Sequence, residues 1–217
     1  MISCTNLVKN YQQVEVLKSI NLEISPKEIV CITGESGAGK STLLHILGTL
    51  DQPSSGAVSI FGQDITQLKG NALSEFRNRN IGFVFQFHQL IPELTSVENA
   101  MIPRLISGES ITKAKQGAKE MLEYLGLGHR FEHKPSELSG GEQQRVAIAR
   151  ALAMKPKFIL ADEPSGNLDT KNARFIHELF FKMRDDFDLT FAIVTHNPEL
   201  AQMADRQIKL KDGHLEE

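Results

Sequence analysis

The stretch that decides the fold is IVCITGESGAGKSTLLHILGTL, residues 29–50. An apolar run at 29–33 is followed at once by the pattern G-x-x-x-x-G-K-S over 34–41, and then by a helical pattern that reaches Leu50. Glycines let a loop turn its backbone N–H groups towards phosphate oxygens, and the positive end of the following helix attracts the same anion. The stretch therefore predicts a strand, a phosphate-binding loop and a helix.

Within this loop, two side chains have their own predicted chemistry. Lys40 is expected to reach the β- and γ-phosphates of a nucleotide, and Ser41 to offer its hydroxyl to Mg²⁺. The alternative is a glycine-rich turn that binds nothing, but the flanking strand and helix favour nucleotide binding. The expected nucleotide contacts are Gly34, Glu35, Ser36, Gly37, Ala38, Gly39, Lys40, Ser41 and Thr42.

Length and composition narrow the possible classes of protein. A chain of 217 residues predicts one domain, and 41% hydrophobic with 24% charged residues excludes a disordered or coiled-coil chain. The net charge of -3 provides no basic surface for general nucleic-acid binding, so no nucleic-acid partner is expected. Cys4 and Cys31 form no CxxC pair, which favours a reducing compartment and buried thiols. No membrane-spanning stretch is predicted, so work at a membrane would need a partner.

Three further apolar runs, 82–85, 158–161 and 191–195, resemble the run at 29–33 in length and composition. Their alternation with helical patterns predicts a mainly parallel α/β sheet, whose ligands gather at the carboxyl ends of the strands. Residues 1–30 and 56–62 show the alternation of antiparallel strands. Residues 87–154 are helical in pattern, with Thr112 as a candidate N-cap and Gly126 as a candidate helix terminator.

Two adjacent carboxylates follow the run at 158–161. Asp162 stands where an acidic group can hold Mg²⁺, and Glu163, one residue further on, is a candidate general base for an attacking water molecule. A solvated Asp-Glu-Pro turn is the alternative. The phosphate loop earlier in the chain makes the catalytic interpretation the stronger one.

The stretch LSGGEQQR, residues 138–145, selects a family. Ser139 and Glu142 fit a helix capping box, and two glycines expose backbone N–H groups at the positive helix end. This stretch resembles the signature motif of the ATP-binding cassette (ABC) superfamily. The resemblance implies that Ser139, Gly140, Gly141 and Glu142 contact a nucleotide held by the phosphate loop of a second copy.

Other ABC motifs occur in the expected order. Tyr11 resembles the aromatic residue that stacks on adenine, and Gln86 resembles the Q-loop glutamine. Residues 165–169 resemble the D-loop, and His196 resembles the switch histidine that holds the γ-phosphate. Each match is weak by itself, because a single tyrosine, glutamine or histidine usually has a structural role. Their common order across the whole chain carries the resemblance.

The resemblance implies a P-loop, RecA-like core with a mainly parallel sheet, an antiparallel β subdomain and an inserted helical subdomain. The expected division is one domain, 1–217, with core and β subdomain at about 1–86 and 155–217 and the helical subdomain at about 87–154. ATP and Mg²⁺ are the implied ligands, with Ser41, Gln86 and Asp162 near the metal. Lys40, Gln86, Glu163 and His196 are the implied catalytic residues. ATP binding would close a homodimer.

Longer stretches, including ADEPSGNLD at 161–169, resemble the group of ABC cassettes that serves lipoprotein release, macrolide export and cell division. The lipoprotein-releasing members are the most similar, and the other two remain alternatives. A P-loop small-molecule kinase, an alternative from another class, would not need the signature motif. The resemblance implies a peripheral protein at the cytoplasmic face of the inner membrane, bound to membrane permease subunits. The apolar segment 87–103 would contact them, or would pack within the helical subdomain.

Overall fold

A computed structural model describes residues 1–216 and contains two β-sheets. The smaller sheet is antiparallel, with strand order β2-β1-β4-β5. Its strands are β1 (Ile2–Tyr11), β2 (Val14–Ile24), β4 (Ser55–Ile60) and β5 (Gln63–Asp64). The antiparallel strands predicted from alternation at 1–30 and 56–62 are thereby confirmed.

The larger sheet has the order β10-β9-β3-β8-β7-β6. All neighbours are parallel except the terminal hairpin of β9 and β10. Its strands are β3 (Ile29–Thr33), β6 (Ile81–Phe85), β7 (Phe158–Asp162), β8 (Thr190–Val194), β9 (Arg206–Lys211) and β10 (His214–Glu216). The four predicted parallel strands are confirmed, and each ends within one residue of its predicted end.

Seven α-helices accompany the sheets within residues 1–216. They are α1 (Lys40–Leu47), α2 (Gly70–Asn80), α3 (Ser96–Ile106), α4 (Ile111–Tyr124), α5 (Gly140–Leu152), α6 (Thr170–Phe187) and α7 (Pro198–Met203). Helices α3, α4 and α5 pack on one another, which agrees with the helical pattern of 87–154. The predicted N-cap of α4 is wrong: Ser110, not Thr112, has the extended conformation that precedes the helix. Within residues 1–216, no helix is both long and apolar enough to cross a bilayer.

The larger sheet is buried on both faces, as parallel sheets usually are. Ile29 and Cys31 of β3 point into a core cluster shared with α3, α5 and α6. Val30 and Ile32 point the other way, into a cluster shared with α1 and the smaller sheet. Cys4 and Cys31 are buried free thiols, and burial raises the pKa of each to about 12. With both faces covered, the carboxyl edge of the sheet is where its polar chemistry collects.

Candidate functional site

Strand register brings the predicted catalytic residues to one edge. Asp162 at the end of β7 pairs with Phe85 of β6 on one side and with Val194 of β8 on the other. Gln86 directly follows β6, and Glu163 directly follows β7. Thr195 and then His196 follow β8. Because the strands are parallel, these residues leave the sheet at the same edge.

A cavity of about 380 Å³ opens at this edge. Most of the predicted site residues line it, together with two valines that the sequence analysis did not single out. The lining residues are Val16, Ser36, Gly37, Gly39, Lys40, Ser41, Thr42, Gln86, Asp162, Glu163, Val194 and His196. Val16 was missed because a valine in an alternating strand gives no signal beyond its strand pattern.

The phosphate loop depends on glycine at its first position. Gly34 has φ 146°, and a Cβ there would lie 2.1 Å from the carbonyl oxygen of Leu210. The loop ends at Gly39, the N-cap of α1, which has φ 105° and no side chain to cap the helix. The first N–H groups of α1 therefore stay available to an anion in the cavity.

Lys40 is folded back onto its own loop. Its side chain is buried, and its Nζ donates hydrogen bonds of 2.8 Å to the carbonyl oxygens of Gly34 and Glu35. The backbone N–H of Ala38 donates to the Glu35 carbonyl as well, which closes the turn. The ammonium group is thus held by carbonyl oxygens at the place where the motif predicts phosphate oxygens.

Glu163 occupies a constrained position. Its φ of 47° is in the left-handed region, which a residue with a side chain rarely adopts. Its backbone N–H donates to the Val194 carbonyl at 2.9 Å, and its Oε2 accepts a 3.2 Å hydrogen bond from the His196 backbone N–H. Its Oε1 is buried with no hydrogen-bond partner among residues 1–216, and the His196 Nε2 lies 3.6 Å away. One carboxylate oxygen of Glu163 therefore has no hydrogen-bond donor among the described residues.

The donor set of the cavity fits Mg²⁺. Ser41, Gln86 and Asp162 offer a hydroxyl, a carboxamide oxygen and a carboxylate, which are the hard oxygen ligands that Mg²⁺ prefers. Gln86 uses its Nε2 to donate to the Asn167 Oδ1 at 2.9 Å. Its carboxamide oxygen is therefore the atom left for a cation.

The signature residues lie apart from this cavity. Ser139 and Glu142 form the predicted capping box: the Glu142 N–H donates to the Ser139 Oγ at 3.3 Å, and the Ser139 N–H donates to the Glu142 Oε2 at 2.8 Å. Arg130 pairs with Glu142 at 2.8 Å. Burial alone would raise the pKa of Glu142, but the hydrogen bonds from Ser139 and Arg130 outweigh it and lower the pKa to about 2. Gly140 and Gly141 begin α5 beside this carboxylate.

Tyr11 also lies outside the residues that line the cavity. The residue is 45% exposed, its hydroxyl donates to Asp51, and the Lys9 ammonium lies 4.6 Å from the ring centroid. The hydrogen bond to Asp51 is the main reason that the pKa of Tyr11 is raised. Its contact with adenine stays a prediction.

The loop at 165–169 is anchored to α6. The Ser165 Oγ lies 2.9 Å from the Nε2 of His177, and both residues are buried. The Asp169 carboxylate caps α6 by accepting from the Asn172 N–H at 3.0 Å. The hydrogen bond from Gln86 to Asn167 holds the same loop at the cavity, so the loop is fixed both to α6 and to a residue that lines the site.

Comparisons with known proteins agree with this geometry. The family model described as ABC transporter matches residues 17–166. The chain is 54% identical over 215 residues to the lipoprotein-releasing system ATP-binding protein LolD of Bacteroides thetaiotaomicron, covering 99% of each chain. It is 50% identical over 219 residues to the protein of the same name from Geobacter metallireducens, covering 99% of this chain and 97% of that one.

A solved structure has the same fold. It is the dimeric, post-hydrolysis state of the ATP-binding cassette MJ0796 bound to ADP and Pi. The TM-score is 0.91 at 41% identity, over 100% of this chain and 97% of that one. The family match and the full-length similarity agree with the phosphate loop, the paired carboxylates and the signature helix described above. The chain therefore belongs to the ABC transporter family, as one of its ATP-hydrolysing cassettes.

Proposed function

We propose that this cassette is the ATPase subunit of a lipoprotein-releasing ABC transporter and energises the release of lipoproteins from the inner membrane. One observation carries the proposed ATPase site: groups from four separate segments, the loop after β3 and the ends of β6, β7 and β8, converge on one cavity. The lipoprotein cargo is supported by full-length similarity to proteins that bear that name.

In this proposal the loop at 34–42 binds the phosphates of ATP. The N–H groups at the start of α1 donate to phosphate oxygens, and Lys40 exchanges its two carbonyl partners for the β- and γ-phosphates. Ser41, Gln86 and Asp162 would hold Mg²⁺, which when bound offsets negative charge on the phosphates. Tyr11 would contact the adenine from the rim.

Glu163 is the proposed general base. A water oxygen attacks the γ-phosphorus while a proton of that water passes to the free Oε1 of Glu163. The bond between the γ-phosphorus and the bridging oxygen breaks, and its electron pair stays on that oxygen in ADP. His196 holds the γ-phosphate from the neighbouring strand end. ADP and inorganic phosphate are the products.

The proposed active form is a homodimer. The signature residues Ser139, Gly140, Gly141 and Glu142 do not line the cavity of their own chain. We infer that they bind the γ-phosphate held by a second copy, so that ATP stabilises the closed pair and hydrolysis releases it.

A second cleft is the proposed site for the membrane subunits. It has a volume of about 450 Å³ and lies between α2, β6, α3 and α5, with Phe85, Gln89, Pro103 and Ile106 on its walls. Within the segment 87–103, Val97 is buried in the core, whereas Phe87 is 71% exposed. We propose that only the exposed part of this segment meets the partner, and that the rest packs internally.

We propose the subdomain bounds that were predicted from the sequence. The core with its β subdomain would comprise about 1–86 and 155–217, and all strands of the described residues, 1–216, lie within these two ranges. The helical subdomain at about 87–154 would carry both the partner segment and the signature motif. We propose that the cassette lies at the cytoplasmic face of the inner membrane, held there by its membrane partners.

The site is tested by Glu163→Gln, with Glu178→Gln on the exposed face of α6 as the matched control. We expect the first variant to lose ATP turnover and to double its molar mass in light scattering when ATP and Mg²⁺ are added. The control should behave as the parent. Parental turnover in Glu163→Gln would remove Glu163 from the mechanism.

The cargo is tested in the native organism by expressing Glu163→Gln and separating inner from outer membrane. Accumulation of lipoproteins in the inner membrane is the expected result. An unchanged lipoprotein distribution, with altered macrolide resistance or cell division, would overturn the lipoprotein assignment and favour one of the related systems.

The exposed part of the segment 87–103, next to the partner cleft in sequence, is tested by Phe87→Glu. Because Phe87 is exposed, the variant should fold and bind ATP as the parent does, but retain much less membrane subunit during purification of the complex. Undiminished co-purification would exclude this contact. Leu90 is a poorer choice, because it packs against the core.

A further inference from the structure

Gln144, in the second turn of α5, is a fully buried polar side chain that joins two loops of the site. Its Nε2 donates a 2.6 Å hydrogen bond to the carbonyl oxygen of Pro164, the residue after Glu163. Its Oε1 faces the Nδ1 of His88, two residues after Gln86. The three residues are far apart in sequence, so the chain of contacts exists only in the folded protein.

The chemistry of the partners fixes the direction of this chain. The Pro164 carbonyl can only accept, so the amide nitrogen of Gln144 must face it and the amide oxygen must face His88. An amide oxygen can only accept, so the His88 Nδ1 must carry a proton. His88 therefore donates to Gln144, and Gln144 donates to Pro164. A flipped Gln144 amide, or a His88 ring without a proton on Nδ1, would place two acceptors opposite each other.

The His88 end is attached to α5 a second time. The Arg150 guanidinium donates to the carbonyl oxygens of His88, at 2.7 Å, and Gln89. His88 and Gln89 have φ values of 48° and 52°, which are unfavourable for residues with side chains. Gln144 and Arg150 lie six residues apart, about 9 Å along the helix. Segment 88–89, which borders the partner cleft at Gln89, is therefore held in an unfavourable conformation by two points on α5.

The Pro164 end lies beside the proposed base. Glu163 also has a positive φ. Its backbone N–H donates to the Val194 carbonyl of β8, and its carboxylate accepts a hydrogen bond from the His196 backbone N–H. A small shift of the Pro164 carbonyl would rotate this strained backbone and move the Oε1 that receives the proton. Misplacing a catalytic group by about 1 Å can cost about 100-fold in rate.

We propose that Gln144 is a positioning residue for Glu163, and that His88, Gln144 and Pro164 transmit the position of the partner-contacting segment to the catalytic base. The inference rests on the proposed role of Glu163. It assigns to a buried amide of the signature helix a task separate from nucleotide binding by the signature residues themselves.

Two pairs of variants separate positioning from packing. Gln144→Met keeps the side-chain volume but removes both hydrogen bonds, with Gln116→Met on the exposed face of α4 as its control. His88→Leu removes the Nδ1 donor, whereas His88→Asn keeps an N–H near that position. His88 is partly exposed, so its variants test the chain of contacts even if Gln144→Met fails to fold.

We expect Gln144→Met to lower kcat about tenfold or more, with the KM for ATP within about twofold of the parent. His88→Leu should lower kcat about threefold to tenfold, and His88→Asn should recover most of that loss. Combined with Glu163→Gln, Gln144→Met should leave ATP-dependent dimerisation unchanged in light scattering. That readout would move if the helix were merely disrupted.

Three results would overturn the inference: parental kcat in both Gln144→Met and His88→Leu, equal loss in His88→Asn and His88→Leu, or failure of the double variant to dimerise with ATP. The failure of the proposed function would look different, since Glu163→Gln itself would then keep turning over ATP. If Glu163→Gln is inactive while Gln144→Met and His88→Leu are both fully active, only this inference is rejected and the proposed function stands.

Discussion

The molecule contains two glycine-rich helix starts, and they are built in opposite ways. At the phosphate loop, Gly34 and Gly39 have positive φ and the helix start faces the cavity without a side-chain cap. At the signature motif, Gly140 and Gly141 are ordinary helical residues, and the helix start is capped by Ser139 and Glu142. The N–H groups of the first start have no side-chain cap and are available to an anion in the cavity of the same chain. The second start carries an internal cap, and in the proposed dimer an anion from a second copy would bind beside that cap.

We expect the largest effect from a substitution in the phosphate loop, the first of the two helix starts. Gly34→Ala places a Cβ 2.1 Å from a backbone carbonyl, which cannot move as a side chain can. We expect ATP affinity to fall about 100-fold, which corresponds to about 2.7 kcal/mol, together with a lower Tm. Isothermal titration with ATP measures the first change.

Gly37→Ala is the matched control for that clash. Gly37 has φ 82°, but a Cβ there would meet nothing within 4 Å. We expect Gly37→Ala to lose only the free energy that a left-handed backbone costs a residue with a Cβ, about 1–2 kcal/mol. If both variants lost the same affinity, conformational strain and not the contact with Leu210 would be the cause.

The next effect concerns the second start. Gly140→Ala adds a Cβ at an ordinary contact distance, 3.5 Å from the Leu168 side chain, so the chain should fold and bind ATP within about twofold of the parent. In the Glu163→Gln background, we expect the ATP-dependent dimer to weaken about tenfold, or about 1.4 kcal/mol. Sedimentation at several concentrations measures this change. Loss of ATP affinity in the single chain would contradict the division between the two helix starts.

A smaller effect tests the internal cap by pH. The pKa of Glu142 is lowered to about 2, so its carboxylate stabilises the folded chain above the unfolded value near 4.5, and this stabilisation is lost as pH falls towards 2. At pH 7, Glu142→Gln should cost about 1 kcal/mol, or about 2–4 °C in Tm. Denaturant unfolding from pH 7 to 3 should show the gap between the two proteins narrowing. A constant gap would mean that the charge contributes nothing.

The smallest effect concerns the support of the signature end, where Leu168 and Asn172 lie next to the two glycines. Burial lowers the pKa of His177, which anchors this loop through Ser165. Because the folded pKa is below the ordinary 6.5, stability should be complete above that value and decline as pH falls below it. The decline is at most about 1.4 kcal/mol per pH unit. Between pH 8 and 5, the Tm of His177→Phe should change less with pH than the Tm of the parent protein. Equal slopes of Tm against pH in the two proteins would contradict this.

Much of the candidate site could be predicted from sequence because Gln86, Asp162 and His196 each directly follow a short apolar run. The runs themselves predicted the four parallel strands, and the spacing of Ser139 and Glu142 predicted the capping box of α5. The N-cap of α4 was wrong because Ser110 and Thr112 have similar side chains two positions apart. Helix α2 was not predicted, since none of its residues is fully buried and its sequence has no apolar stripe.

The long-range contacts could not be predicted. His88, Gln144 and Pro164 are separated by tens of residues, and a glutamine inside the signature helix has no local feature that shows which groups it meets. Tyr11 illustrates the same limit, because its hydrogen bond to Asp51 spans forty positions along the chain.

The folded-back Lys40 has a consequence for affinity. Its ammonium group donates hydrogen bonds to two carbonyl oxygens, so a nucleotide bound as proposed would have to replace these partners. In that case the affinity for ATP would reflect how much one ammonium group prefers phosphate oxygens to peptide oxygens, together with the contribution of the helix start beside it. A nucleotide that lacks the γ-phosphate would replace only some of these hydrogen bonds. When such a nucleotide leaves, the carbonyl oxygens of Gly34 and Glu35 would again accept from the lysine.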